Sequence, residues 1–151
     1  MKNTSSTINE IRIHSQIKCA QIVELVHTFE DDQNIYILLE YLEGSELYQE
    51  IKTQQALRVN YKGNQGGALD EIEGAQYFRE IALGVKYMQE KNILHRDLKL
   101  SNVMITLDKQ VKIIDFGLAI QLMDFVEEDT TICGTPNYIS PETITGKRFG
   151  P

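Results

Sequence analysis

The stretch HRDLKLSNVMITLDKQVKIIDFG, residues 95–117, constrains the fold more than any other part of the chain. Two short apolar runs, residues 103–107 and 111–114, lie on either side of a tight turn at residues 108–110 and therefore predict a β-hairpin. Charged and polar side chains cluster directly before the first run and directly after the second. Since the two ends of a hairpin lie side by side, we expect both clusters to meet at one end of a small sheet.

The polar side chains of these clusters are suited to phosphate chemistry. Asp97, Asn102 and Asp115 would bring oxygen atoms together, and such oxygens are ligands of Mg²⁺ in sites that also bind nucleotide phosphates. Lys99 adds a mobile positive charge for a transferring phosphoryl group, while Asp97 can orient an attacking hydroxyl and accept its proton. Because phosphoryl transfer requires little beyond positioning and charge neutralisation, the stretch predicts a phosphotransfer site.

The rest of the chain predicts a mixture of short helices and short strands. We expect helices over 7–18 and 46–55, strands over 21–28, 34–39 and 92–94, a polar linker over 58–70, and mostly loop from residue 120 onward. The clearest helix follows a predicted N-cap, Asp70. Its predicted apolar face consists of Ala75, Phe78, Ile81, Ala82, Val85 and Met88.

Composition excludes several classes of protein. The 151 residues include 15 basic and 22 acidic side chains, and the net charge of −7 argues against a nucleic-acid partner or an anionic membrane surface. Two cysteines without metal-site spacing fit a reducing compartment. The polar start lacks the apolar core of a signal peptide, and the longest apolar run, residues 35–39, is too short to cross a bilayer. We therefore expect a soluble cytoplasmic protein.

Three motifs in the expected order resemble those of eukaryotic serine/threonine protein kinases. HRDLKLSN, residues 95–102, is similar to their catalytic loop, DFG at residues 115–117 to their metal-binding motif, and GTPNYISPE at residues 134–142 to the end of their activation segment. The stretches NEIRIH, HTFEDDQNIYILLEY, FGLAIQL and CGTPNYISPE resemble the polo-like kinases, most closely the Sak type that controls centriole duplication. This resemblance implies ATP and Mg²⁺ as cofactors, a protein substrate with a serine or threonine acceptor, and an association with the centriole or centrosome.

The resemblance also assigns roles to individual residues. Asp97 would be the catalytic base, Lys99 would contact the γ-phosphate, and Asn102 and Asp115 would bind the metal. The residues implied to contact the nucleotide away from the metal are Glu40 and Leu42 through their backbone, Met104 beneath the adenine ring, and Glu46 at the ribose or at a basic substrate residue.

Regulatory and structural roles follow from the same resemblance. Thr131, or less well Thr130, would be the activating phosphosite, with Arg96 as its cation, and Thr135 would lie at the substrate-binding end of the activation segment. Glu10 would pair with a lysine of the family, although it also fits a capping box that begins at Thr7, and the two interpretations are left open. The side chains implied to stack between the two lobes are Leu25, His14, His95 and Phe116.

These assignments imply a partial kinase-like α+β fold. Residues 1–42 would form part of the N-lobe, with its C-helix, strands four and five and the hinge, and residues 43–151 the first part of the C-lobe, with helices D and E, the catalytic loop and the activation segment. Because nine residues precede Glu10, we expect no counterpart of the glycine-rich loop and its lysine in this sequence. We therefore expect a central fragment of a kinase, nearly inactive alone, with a regulatory partner that the sequence does not name. The alternatives are a pseudokinase-like interaction module and a truncated decoy.

Overall fold

The computed structural model describes residues 4–62, 69–122 and 133–145. Its α-helices are α1 (Thr4–His14), α2 (Leu47–Lys62), α3 (Glu71–Glu90) and α4 (Pro141–Ile144). Its strands are β1 (Leu25–Glu30), β2 (Ile35–Leu39), β3 (Gly44–Glu46), β4 (Ile93–Leu94), β5 (Val103–Thr106), β6 (Val111–Ile113) and β7 (Ile120–Gln121). Strands β1 and β2 form one antiparallel pair, β4 and β7 another, and β3, β5 and β6 a three-stranded antiparallel sheet. The predicted α+β class is confirmed.

The predicted hairpin is present and supplies two strands of the three-stranded sheet. Strands β5 and β6 are joined by the expected turn, in which Lys109 has a positive φ of 64° and its N–H donates to the carbonyl of Thr106 at 2.9 Å. Strand β3, which the sequence did not predict, adds to the free edge of β5. The hairpin therefore lies within a small sheet whose open end carries both charged clusters.

Helix α1 is shorter than predicted and begins earlier. After His14 the chain tightens, because the N–H groups of Gln16 and Ile17 each donate to the carbonyl three residues before, at 3.1 Å. Thr7 lies inside the helix and so cannot be its N-cap. The capping-box interpretation of Glu10 is therefore wrong.

Residues 21–24, predicted to begin a strand of the first sheet, instead attach to β6. The N–H of Ile113 donates to the carbonyl of Gln21 at 2.7 Å, and the N–H of Val23 donates to the carbonyl of Ile113 at 3.0 Å. Ile22 and Ile113 form a parallel bridge, and both are buried. This segment joins the β1–β2 pair to the strand that leads to Asp115.

Helix α3 has the predicted N-cap, but only Met88 and, in part, Ile81 of its predicted apolar face are buried, while Ala75, Ala82 and Val85 are exposed. The Asp70 carboxylate accepts the N–H of Ile72 at 3.3 Å, whereas Phe78, predicted for the core, is 74% exposed. The buried residues are Tyr77, Gly84 and Met88. A β-carbon at Gly84 would lie 2.7 Å from Cδ1 of Ile113, so the helix approaches β6 closely at this glycine, beside Met88 of the predicted face.

The other boundaries differ by a few residues. Helix α2 continues to Lys62, past the predicted start of the linker at residue 58, because the glycines begin only at residue 63. Residues 63–68 lie outside the described residues. The segment after residue 120 is not all loop, since β7 pairs with β4.

Two apolar clusters hold these elements together. One packs α1, α3, β4 and β6 around the segment after Asp115 and consists of Ile13, Ile17, Ile22, Met88, Ile93, Ile113, Phe116 and Ala119. The other packs α2 and α3 against the three-stranded sheet and consists of Leu47, Tyr77, Val103, Ile105 and Val111. Leu98 packs against both clusters, so the catalytic-loop residues lie at their junction. Across the described ranges, no helix has the length and apolarity needed to span a membrane.

Candidate active site

His95 holds the first charged cluster in place. Its ring is buried and packs on Phe116, with a distance of 5.1 Å between ring centroids. Nε2 donates to the carbonyl of Ile114 at 3.0 Å, and Nδ1 accepts the N–H of Asp97 at 3.3 Å, an arrangement that fits a neutral ring. Burial lowers the pKa of His95, and the Ile114 carbonyl and nearby carboxylates oppose this only in part. His95 is therefore a structural residue of the loop, as the sequence predicted.

Three side chains donate hydrogen bonds to the carboxylate of Asp97. Oδ2 accepts hydrogen bonds from Nζ of Lys99 at 2.8 Å and from Nδ2 of Asn102 at 3.1 Å. Oδ1 accepts the hydroxyl of Thr135 at 2.6 Å. Burial raises the pKa of Asp97, but the hydrogen bonds from Lys99, Thr135 and Asn102 outweigh it, and the pKa lies below its ordinary value. The carboxylate is consequently ionised at neutral pH.

Thr135 and Lys99 close a ring of hydrogen bonds on Asp97. Nζ of Lys99 donates to Oγ1 of Thr135 at 2.8 Å as well as to Asp97. The sequence assigned Thr135 to the substrate-binding end of the activation segment and did not predict this contact. The structure therefore ties residues 133–138 to the catalytic loop through one hydroxyl group.

Asn102 links the two charged clusters. Its side chain is 6% exposed, and Nδ2 donates to both the carbonyl and the carboxylate of Asp97. Since the NH₂ group is turned toward Asp97, the amide oxygen is turned away from it and is available as a hard ligand. The backbone carbonyl of Asn102 accepts the N–H of Ile114 at 3.0 Å. Because Asp115 directly follows Ile114, this hydrogen bond holds the start of the second cluster beside Asn102.

Asp115 begins the second cluster in an unusual backbone conformation. Its φ of 66° is in the left-handed region, as is the φ of 63° at Arg96, and such values at non-glycine residues are often found at functional sites. Oδ1 of Asp115 accepts the N–H of Gly117 at 3.2 Å. A β-carbon at Gly117 would lie 3.7 Å from Oε2 of Glu10, so the Glu10 carboxylate reaches this loop.

The oxygen atoms present fit a magnesium ion shared with a phosphate group. The donor set is one exposed carboxylate, Asp115, and one oriented amide oxygen, from Asn102. Within the described residues, no three His, Cys, Asp or Glu side chains form a metal-binding group. A site with so few protein ligands suits Mg²⁺, which keeps several waters and takes further oxygens from its phosphate ligand.

Helix α1 docks on the segment that carries Asp115. Asn9 Nδ2 donates to the carbonyl of Ala119 at 3.0 Å. The His14 ring stacks on Phe116 with centroids 4.7 Å apart, and its Nε2 donates to the carbonyl of Val23 at 2.7 Å. His14, Phe116 and His95 thus form the predicted stack between α1 and the catalytic loop, while Leu25, its fourth predicted member, is half-buried at the start of β1.

The residues assigned to the adenine end lie on neighbouring elements. Glu40 directly follows β2, and Leu42 lies two residues before the start of β3. Glu46 and Met104 are cross-strand partners in β3 and β5. Sequence reasoning missed Lys112, which is opposite Met104 in β6 and whose Nζ lies 2.7 Å from Oε1 of Glu40.

The regulatory residues are described only in part. Arg96 donates from Nε to the carbonyl of Leu118 at 2.7 Å, which holds the chain just after the DFG motif. Thr130 and Thr131 lie outside the described residues, so their predicted role is untested.

A cavity of about 410 Å³ lies beside this site but is separate from it. It is bounded by α3, the catalytic loop and the segment through α4, with a largely apolar lining that includes Val85, Met88 and Ile139. Asp97, Asn102 and Asp115 do not line it. The cavity is therefore not formed by the candidate catalytic groups, although the neighbouring His95 and Arg96 contribute to its wall.

Comparison with known proteins gives a consistent result. The family model described as protein kinase domain matches residues 1–151. The chain is 41% identical over 140 residues to the probable serine/threonine-protein kinase CCRP1 of Zea mays, covering 93% of this chain and 20% of that protein. It is 41% identical over 141 residues to the serine/threonine-protein kinase PLK4 of Aedes aegypti, covering 93% of this chain and 17% of the relative.

A yeast relative extends the comparison to nearly the whole chain. The cell cycle serine/threonine-protein kinase CDC5/MSD2 of Saccharomyces cerevisiae is 38% identical over 149 residues, covering 99% of this chain and 19% of that protein. The chain thus spans about a fifth of the length of these relatives. The predicted resemblance to polo-like and other serine/threonine kinases is confirmed, and the chain belongs to the protein kinase family.

Proposed function

We propose that the protein is a serine/threonine kinase that transfers the γ-phosphate of ATP to a hydroxyl group of a protein substrate. The observation that supports this most strongly is the ionised Asp97 carboxylate, held by Lys99, Asn102 and Thr135 beside the Asp115 loop. This carboxylate is oriented by three side chains, one of which belongs to Asn102, a potential metal ligand. Such orientation is what a catalytic base requires.

The proposed reaction uses these side chains in distinct roles. Asp97 orients the acceptor hydroxyl and takes its proton as the new oxygen–phosphorus bond forms and the bond from the γ-phosphorus to the ADP oxygen breaks. Lys99 neutralises charge on the transferring group. Asn102 and Asp115 would hold Mg²⁺, which when bound neutralises the charge of the phosphate oxygens.

The remaining assignments are supported by position and by the family. Glu46 and Met104 pair across β3 and β5, and Glu40 and Leu42 lie in the segment that joins β2 to β3, which is consistent with an adenine and ribose site along this segment. Regulation through Thr131 or Thr130 with Arg96, and through Glu10, is proposed on the resemblance alone. So are the division into lobes at residue 42, a cytoplasmic location and an association with the centriole.

The test is a pair of measurements on matched aspartate variants. Wild-type chain should show a thermal shift with ATP and Mg²⁺ together that exceeds the shift with either alone. Asp115→Asn should lose the magnesium-dependent part, while Asp32→Asn, at an exposed turn, removes the same charge and should leave it intact.

Asp97→Asn separates a kinase from a pseudokinase. It should keep the thermal shift but abolish the low phosphate transfer to a protein acceptor expected of the chain alone, since a general base usually contributes about 10²–10⁴-fold. No shift in the wild-type chain would refute the nucleotide site, and a shift without Asp97-dependent transfer would favour the pseudokinase-like alternative.

A further inference from the structure

The carboxylate of Glu40 accepts hydrogen bonds from two groups that lie outside the sequence motifs. Its Oε1 accepts Nζ of Lys112 at 2.7 Å and the backbone N–H of Glu24 at 2.8 Å. The N–H of Glu40 in turn donates to the carbonyl of Glu24 at 2.9 Å. Both the side chain and the backbone of this residue are therefore fixed.

Lys112 reaches Glu40 from the strand that leads to Asp115. Glu46, Met104 and Lys112 are consecutive register partners across β3, β5 and β6, so their side chains share one face of the sheet. Lys112 stands at the end of this row and lies three positions before Asp115. The same strand also binds the segment that contains Glu24, through Ile113.

The Lys112–Glu40 pair is protected from water. The two side chains are 13% and 28% exposed, whereas those of Lys86 and Glu90 on α3 are 70% and 62% exposed and their atoms are 3.8 Å apart. Burial raises the pKa of Glu40, but Lys112 and the Glu24 N–H outweigh it, so the carboxylate stays ionised at neutral pH. Removing one partner would leave a shielded charge without its complement, a change that exposed pairs tolerate and shielded pairs do not.

We infer that Lys112 is a positioning residue for nucleotide binding, which fixes the backbone at Glu40 relative to the strand that carries Asp115. The inference rests on the proposed function, because it assigns the adenine end of the site to the segment that begins at Glu40. The new element is that one ion pair, between Lys112 and Glu40, fixes the position of the adenine end of the site relative to the metal end. Lys112 does not itself contact the nucleotide.

The experiment compares Lys112→Met, which keeps the apolar stem, with Lys112→Arg, which keeps the charge, and with Lys86→Met as the matched control. Hydrogen exchange of residues 36–46 is first measured without nucleotide. Lys112→Met should accelerate it, and Lys112→Arg and Lys86→Met should not.

The second measurement is the dissociation constant of adenosine and of ADP with Mg²⁺. Lys112→Met should weaken both by the same factor, about fivefold to tenfold, at the low end of typical couplings between sites because the pair is shielded without being fully buried. Lys112→Arg should leave both dissociation constants near their wild-type values. If Lys112→Met does not fold, Glu40→Gln, which keeps an acceptor for the Glu24 N–H, should give the same two effects.

Two outcomes would overturn the inference. Unchanged exchange at residues 36–46 in Lys112→Met would mean that the pair does not hold this segment. Weakened binding of ADP with unchanged binding of adenosine would mean that Lys112 acts on the phosphates by charge. If wild-type chain binds neither ligand, the proposed nucleotide site fails, and hydrogen exchange alone still decides whether Lys112 holds the backbone.

Discussion

Acidification should weaken the fold at the stack of rings that joins α1 to the catalytic loop. Burial lowers the pKa of both His14 and His95 below the ordinary value of 6.5, against the hydrogen bonds that each ring makes. The unfolded chain therefore takes up protons at a higher pH than the folded protein does. Stability is fully present above about pH 6.5 and is lost as the pH falls below it.

The magnitude follows from proton linkage. A histidine that stays neutral in the folded protein lowers the free energy of unfolding by about 1.4 kcal/mol at one pH unit below its unfolded pKa. Two such residues give an upper limit of about 3 kcal/mol between about pH 7.5 and about pH 5.5. The carboxylates with lowered pKa values, such as Asp97 and Glu73, have ordinary values near 4 and contribute only at lower pH.

The assay is urea unfolding followed by far-UV circular dichroism, since the chain has no tryptophan. The pH dependence of the unfolding free energy is compared between wild type, His14→Phe and His27→Gln, the last at an exposed histidine of β1. His14→Phe should lose about half of the dependence, whatever its own stability, and His27→Gln should keep it. A free energy of unfolding that does not change over this range would refute the argument, as would an equal loss in both variants.

Three further substitutions test other contacts. Thr135→Val removes the hydroxyl that donates to Asp97, so the pKa of that carboxyl should rise in an NMR titration, and an unchanged pKa would show that the contact is absent in solution. Lys109→Met leaves the two glutamates beside it, on α2 and α3, without their shared cation, and should lower the urea midpoint by an amount equivalent to about 1 kcal/mol or less, because the lysine side chain is 56% exposed. Gly44→Ala places a β-carbon against the carbonyl of Ile105 and should cost about 1–3 kcal/mol in the same assay, whereas no loss would mean that β3 is not paired as described.

Local signals in the sequence predicted the catalytic loop and its hairpin. The apolar runs at residues 103–107 and 111–114 are short, β-branched and separated by a turn, so the period of two identifies them without tertiary information. Their strands place Asn102 and Asp115 at one end of the sheet, and the measured contacts follow from that placement.

The parts that could not be predicted depend on close approach between distant elements. The face of α3 was assigned from its larger apolar side chains, but the helix contacts β6 at Gly84, where a small residue lets the backbone come near. Lys112 belongs to none of the motifs, and its contact with Glu40 joins positions 72 residues apart. Neither contact leaves a periodic signal, although a glycine inside a strongly helical segment was an available sign of close packing.

The hydrogen bonds around Asp97 restrict the direction from which a substrate can reach it. A carboxylate offers about four lone-pair positions, and within the described residues Lys99 and Asn102 share Oδ2 while Thr135 takes one position on Oδ1. The remaining lone-pair position is therefore on Oδ1, the oxygen that Thr135 contacts. In the proposed reaction, the acceptor hydroxyl would enter along that single line, so the residues that hold Asp97 would select the geometry of attack.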